Sequence, residues 1–162
     1  LARLGYHVVA LTGKQAEADW LVKLGAREVK LRQALDLSKI KPLDRATWAG
    51  AIDNLGGEVL AWMASTMKVN GVIGSIGLAA SHSLNTTVMP FILRGVSLLG
   101  INSTDAPSAE LEREAWRRLA TDLRPPLLKD IARTIPFDQL PGAFDDFIQG
   151  KVRGRTVVDL NP

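Results

Sequence analysis

Thr12, Gly13 and Lys14 place a hydroxyl, an unobstructed backbone N–H and a cation at three consecutive positions, with no acid among them. That set suits a phosphate monoester better than a neutral sugar hydroxyl. It closes the run Tyr6-His7-Val8-Val9-Ala10-Leu11, which reads as a strand buried on both faces, as in parallel sheets covered by helices. Gln15 to Leu24 then predicts a helix closed by Gly25. At the end of the second strand of a dinucleotide-binding sheet, an acid accepts from a free ribose 2′-hydroxyl, whereas a base accommodates a 2′-phosphate. If the sheet is of that kind, the turn selects NADP over NAD. The rival reading is a plain strand-to-helix turn with a solvated lysine.

Asp53-Asn54 ends a second small, apolar run, Trp48-Ala49-Gly50-Ala51-Ile52. At such a strand end Asp53 is expected to satisfy local backbone N–H groups, leaving Asn54 as a candidate contact for an adenosine. Gly71-Val72-Ile73-Gly74-Ser75-Ile76-Gly77 is a glycine-rich strand, and glycine there implies close approach to the backbone. Its spacing is not a phosphate loop, because it lies within a strand and not at a strand-to-helix turn. Nor does Gly74-Ser75-Ile76-Gly77 have the G-x-S-x-G spacing of a nucleophile elbow. His7 and His82 stand alone, with no cysteine or paired carboxylate at ligand spacing, so no metal site is expected and no catalytic residue can be named.

The elements that must position these residues alternate. Glu28-Val29-Lys30-Leu31 reads as a short strand, and the stretch 32–45, broken by Pro42, as loops with one short helix. A helix is predicted from Glu58 to Met67 with Val59, Leu60, Met63 and Met67 on one face. Val96 to Ile101 is a further apolar strand. Ser108 caps a long helix to about Asp122, with Leu111, Ala115, Trp116 and Leu119 expected inward. After Pro125-Pro126 the order is strand (Ala132 to Ile135), helix (Leu140 to Ile148) and strand (Thr156 to Leu160). Strands alternating with helices mean an α/β fold with a mainly parallel sheet.

Composition bounds the function classes. The chain has 162 residues, 46% hydrophobic and 23% charged, which is ordinary for one globular domain and too apolar for disorder. No apolar run reaches the roughly 18–20 residues of a membrane span, so no membrane partner is expected. The absence of cysteine removes disulfides and thiolate metal sites, and a cytoplasmic setting is expected. A net charge of +3 with interspersed acids, and only 6% aromatics, gives no platform for nucleic acid. Leu1-Ala2-Arg3-Leu4-Gly5 reads as the last turn of a helix entering a strand, so the chain is expected to be part of a longer polypeptide.

The order of elements resembles the medium-chain dehydrogenase/reductase superfamily, in particular its quinone oxidoreductase and acryloyl-CoA reductase branch. The stretches that carry the resemblance are Leu24-Gly25-Ala26, Trp48-Ala49-Gly50-Ala51-Ile52-Asp53, Thr86 to Val96 (TTVMPFILRGV) and Gly154-Arg155-Thr156-Val157-Val158. The third is long and uncommon; the first and last alone would be weak. The resemblance implies a Rossmann-type, doubly wound sheet that is incomplete at its N-terminus, since the first strand and its glycine-rich pyrophosphate turn have no counterpart here. In the usual order that strand lies between the one ending at Thr12 and the one ending at Asn54. Its loss would leave unpaired backbone groups, each costing about 1–3 kcal/mol.

The same resemblance implies residues 1–130 as the dinucleotide-binding domain and 131–162 as a segment packing toward a catalytic domain. NADPH is the implied cofactor, held by Thr12, Gly13, Lys14, Asn54, the strand end Ile76-Gly77-Leu78, Asn102 and Arg155. Relatives usually carry arginine at the Lys14 position and many carry aspartate at Asn102; capped-turn and surface-ion-pair readings stand beside those for Asn102 and Arg155. The implied activity is hydride transfer to an activated carbon–carbon double bond of acryloyl-CoA or enone type, or to a quinone, with a small molecule as partner and without zinc. A zinc-dependent alcohol dehydrogenase and a non-catalytic nucleotide-binding module are the alternatives. The strand Val96 to Ile101 is expected to support a homodimer through edge pairing.

Overall fold

The computed structural model describes residues 1–102, 104–105 and 107–161. They form two compact units, Leu1–Ala106 and Pro107–Pro162. In the first, β1 (Val9–Thr12) pairs in parallel with β2 (Glu28–Leu31), in a register that sets Thr12 beside Leu31. The crossover is α1 (Ala18–Lys23), entered through a 3₁₀ turn at Gln15–Glu17, so the sequence-predicted helix is split in two. Gly25 follows with a φ of 111°, a conformation that stops the helix and that other residues rarely adopt.

A second parallel ladder has the order β3 (Trp48–Asp53), β4 (Met67–Ser75), β5 (Ser97–Gly100). Helix α2 (Gly57–Thr66) connects β3 to β4, and α3 (Met89–Arg94) leads into β5. The core of this unit joins Leu60 and Ala64 of α2 to Met67 and Ile73 of β4 and to Val96, with Phe91 and Leu98 packed against it. Met67 opens β4 instead of closing the helix, and it and Ile73 are fully buried. Full burial of side chains of this size contributes about 1.5–3 kcal/mol each. Arg94 ties the end of α3 to this core: its guanidinium donates to the carbonyls of Ser65 and Met67, 2.9 Å each, and to that of Asp44.

The sheet is interrupted where the expected incompleteness puts the gap, between the strand ending at Thr12 and the strand before Asn54. Among the described residues β1 bonds only to β2, and β3 only to β4, so the two ladders each present a free edge. Among the described residues no strand lies between them.

In the second unit, β6 (Ala132–Pro136) runs parallel to β7 (Arg155–Asp159), joined through α6 (Leu140–Ile148), and α4 (Ala109–Ala120) and α5 (Leu128–Ile131) precede them. Ser108 caps α4 as expected, its Oγ accepting from Leu111 N–H at 3.2 Å. Arg117 and Arg118 pair with Glu114 and Asp122, and these hydrogen bonds hold both carboxyls below their usual range. The inward face predicted for this helix is corrected. Leu111, Ala115 and Leu119 are exposed, and Trp116 keeps 66% of its surface accessible. The amphipathic pattern is present, but the two-stranded ladder of this unit does not cover the stripe.

Candidate functional site

A cleft of about 690 Å³ runs between β1 and β3. At the carboxyl ends of the strands it is lined by Thr12, Gly13, Lys14, Arg32, Asp53 and Asn54. The turn is pre-formed: Thr12 Oγ1 accepts from the backbone N–H of Lys14 at 3.0 Å, and Gln33 Nε2 donates to the Gly13 carbonyl at 2.7 Å. Accepting that bond leaves the Thr12 hydroxyl hydrogen for another acceptor.

Arg32 is a second cation at this turn, and sequence reading passed over it as part of an irregular stretch. Its guanidinium lies over Gly13, where a β-carbon would come within 3.5 Å of Nη2. The signal that finds it is register. Parallel neighbours end side by side, Thr12 stands opposite Leu31, and so the residue after Leu31 meets the residue after Thr12. Arg32 and Lys14 line the cleft together with Thr12, and two cations and a hydroxyl in one lining suit a dianionic phosphate.

Asp53 is fully buried and serves its own turn, as expected. Its carboxylate accepts from the N–H groups of Leu55 and Gly56 at 3.1 Å and from Ser75 Oγ at 3.3 Å. The next residue, Asn54, is exposed at the rim. Its carbonyl accepts from Ala79 N–H at 3.1 Å, and Gly77 lies against its backbone. A β-carbon on Gly77 would stand 2.8 Å from the Asn54 oxygen. Gly77→Ala is therefore expected to push the two loops apart and to cost about 1–3 kcal/mol, as overpacking does. Thermal unfolding of the variant checks this, and an unchanged midpoint would remove the requirement for glycine.

A second cavity, of about 530 Å³, gathers Ile76, Gly77, Leu78 and Asn102 at the ends of β4 and β5. Ile101 N–H donates to Ser75 O at 2.9 Å, which fixes the two strand ends relative to each other. The Asn102 side-chain oxygen accepts from Thr104 N–H at 3.1 Å and Thr104 Oγ1 at 2.8 Å, so it caps its own turn and only its amide hydrogens face other partners. Ser103 lies outside the described residues. Arg155 begins β7 in the second unit, exposed and opposite Ala132. Among the described residues no group of three metal-ligating side chains comes together.

No protein-family model matches the sequence. Whole-chain comparisons are more informative. The chain is 42% identical over 161 residues to the acrylyl-CoA reductase AcuI of Ruegeria pomeroyi, covering 99% of this chain and 48% of that protein. It superposes with a TM-score of 0.91 on YhdH of Escherichia coli K-12 with bound NADPH, at 38% identity, covering 99% of this chain and 49% of the other. Over the length they share, the chain is similar to members of the medium-chain dehydrogenase/reductase superfamily. YhfP of Bacillus subtilis, with NAD bound, superposes at 0.90 with 39% identity over 98% of this chain and 48% of its own. The chain thus spans about half the length of the superfamily relatives it matches.

Proposed function

We propose that this chain is the cofactor-binding part of an NADPH-dependent reductase that acts on an activated carbon–carbon double bond of the acrylyl-CoA or enone type, with a quinone as the second substrate class. The observation that carries the reading is the paired cation at the end of β1. Lys14 and Arg32 flank the Thr12–Gly13 turn, where a dinucleotide-binding sheet reads the ribose 2′-position. The acyl-CoA class is favoured by the named activity of the R. pomeroyi relative.

The residues divide the work by position. Thr12 donates from its hydroxyl, and Lys14 and Arg32 supply charge, to the 2′-phosphate. Asn54, held outward by the Asp53 network, meets the adenosine side. The small backbone of Ile76-Gly77-Leu78 leaves room for a flat ring to lie close to the ends of β4 and β5. Asn102 offers amide hydrogens to a carboxamide, and Arg155 is carried over as a cofactor contact by the resemblance alone. NADPH, when bound, supplies the hydride, and the protein's part is to orient it and to exclude water. The test is turnover of the intact protein with NADPH or NADH against acryloyl-CoA, an enone and a quinone. Reduction of none of them, with nucleotide bound, would reject the substrate class while leaving the cofactor reading standing.

Homodimerisation through β5 belongs to the same proposal. β5 is the last strand of its ladder, and Leu99 and Ile101 remain 50% and 47% exposed. A second copy pairing along that edge would satisfy the free backbone groups and cover both side chains. Sedimentation equilibrium is expected to show a dimer that Leu99→Lys dissociates; a concentration-independent monomer would dismiss it.

A further inference from the structure

We propose that His82 is the acid that protonates the α-carbon of the acceptor during reduction, from a fixed position in the cavity at the ends of β4 and β5. The assignment rests on the reductase reading above and adds the residue that completes the reaction.

The chemistry calls for such a group. A hydride added to the β-carbon of a double bond conjugated to a carbonyl drives the π pair toward the carbonyl oxygen. The enolate so formed still lacks a proton at its α-carbon. Histidine is the side chain whose ordinary titration lies nearest neutrality, so it can both hold and release a proton there. Among the described residues that line the cavity of about 530 Å³, His82 alone carries a titratable side chain. Ile76, Gly77, Leu78 and Asn102, the residues read as the nicotinamide side of the cofactor site, share the same space. The nearby carboxylates are occupied or turned away. Asp53 accepts from its own turn, and Glu58 lines a neighbouring cavity with Arg32, Ser81 and Ser83.

The loop holds the imidazole in place. The N–H groups of Ala80 and Ser81 both donate to the Leu55 carbonyl, at 2.9 and 3.1 Å. On the other side of His82, the Ser83 carbonyl accepts from Gly57 N–H at 3.1 Å. Ser81 Oγ accepts from Ser83 N–H at 3.1 Å and closes a turn with His82 at its apex. A side chain on a turn tied down at both flanks is positioned for proton transfer without a loop having to order first. His82 is also exposed, so water can recharge it. In the step itself an imidazolium N–H bond breaks and the enolate π pair becomes the α-carbon's C–H bond. The carbonyl re-forms, and the neutral imidazole takes its next proton from water.

A quinone supplies the contrast, because its reduction ends with protons on oxygen, which water delivers without a positioned acid. In the intact protein, His82→Gln is expected to lower kcat for acryloyl-CoA and for an enone by roughly 100-fold. Quinone turnover and NADPH affinity should change by less than about twofold, since neither uses the acid. With an enone methylated at its α-carbon, the parent should give one configuration at that carbon and the variant both, as solvent then protonates either face. A readout without turnover comes from bromoacetyl-CoA and bromoacetone, one for each acceptor class. A neutral imidazole facing the α-carbon displaces bromide and forms an N–C bond, so peptide mapping is expected to find the label on His82 and not on His7. Unchanged enone turnover and configuration in the variant would overturn the assignment, as would labelling elsewhere with none on His82. An equal loss with enone and quinone would overturn it too, by making His82 a support of the nucleotide pocket. A parent that reduces none of the three acceptors fails the reductase reading itself, and His82 with it.

Discussion

Replacing Lys14 and Arg32 by alanine is expected to weaken NADPH binding by roughly 10- to 100-fold for each single variant, while NADH binding changes by less than about threefold. The physical reason is that a hydrogen bond to a charged partner contributes about 1.5–3 kcal/mol, and NADH lacks the phosphate that receives it. Both side chains are solvent-accessible at a cleft rim, so screening pulls the values toward the lower end. The double variant should lose less than the product of the two, because both cations share one phosphate and the survivor can shift toward it. Lys14→Arg tests the geometry from the other direction. A planar fork can bind two phosphate oxygens where an ammonium binds as a point charge, so this variant is expected to bind NADPH at least as tightly as the parent. Titration of the intact protein with both nucleotides at two salt concentrations decides the matter. A loss that is equal for NADPH and NADH, or that does not fall with salt, would mean that the cations serve the turn and not the phosphate.

Arg32 also shows where sequence reading stops. The identities and order of β1, β2, β3 and β5 were legible because apolar runs bounded by glycine or polar turns have few alternatives, and the α/β class follows from their alternation. Lys14 was legible because it directly follows a readable strand. Arg32 follows another readable strand, yet its meaning depends on which strand lies beside which and in what register, and no local pattern encodes that. The stripe Leu111–Trp116–Leu119 failed for the opposite reason. Periodicity states which face of a helix is apolar, but not whether these 162 residues contain the surface that covers it. The division of the sheet into two ladders was legible only through the family resemblance, since β1 and β3 are each well-formed strands and no local pattern in either tells which neighbour is missing. Asp53 and Asn54 were separable in sequence because a carboxylate one residue inside a strand end has backbone N–H groups within reach, whereas the next residue points away.

Asp53→Ala is expected to be the most destabilising single change in the first unit, at about 3–5 kcal/mol. It removes the acceptor of two backbone N–H groups and one hydroxyl in a fully buried position, and buried donors left unpaired cost about 1–3 kcal/mol each. For a chain of this length each kcal/mol lowers the unfolding midpoint by roughly 2–4 °C, so a fall of about 6–20 °C is expected. Asp53→Asn keeps an oxygen for both N–H groups and can donate to Ser75 Oγ, and should cost only about 1 kcal/mol. Ser75→Ala removes the longest of the bonds, at 3.3 Å, and should cost less than that. Asparagine is nearly isosteric with aspartate, so the costs of Asp53→Asn and Ser75→Ala report the hydrogen-bond network, whereas a packing role would leave Asp53→Asn unchanged. Function should follow the same order. The Asp53 network sets the backbone at Asn54, and Asn54 O is the point against which Gly77 and Ala79 are placed, so the ends of β3 and β4 move together when it is lost. Asp53→Ala is therefore expected to weaken NADPH binding more than Asn54→Ala does, although only Asn54 reaches the rim. If Asp53→Ala melts within about 2 °C of the parent, the end of β3 is held by something other than this carboxylate. Were it to melt low yet bind NADPH normally, the network would be a folding device that the nucleotide pocket does not need.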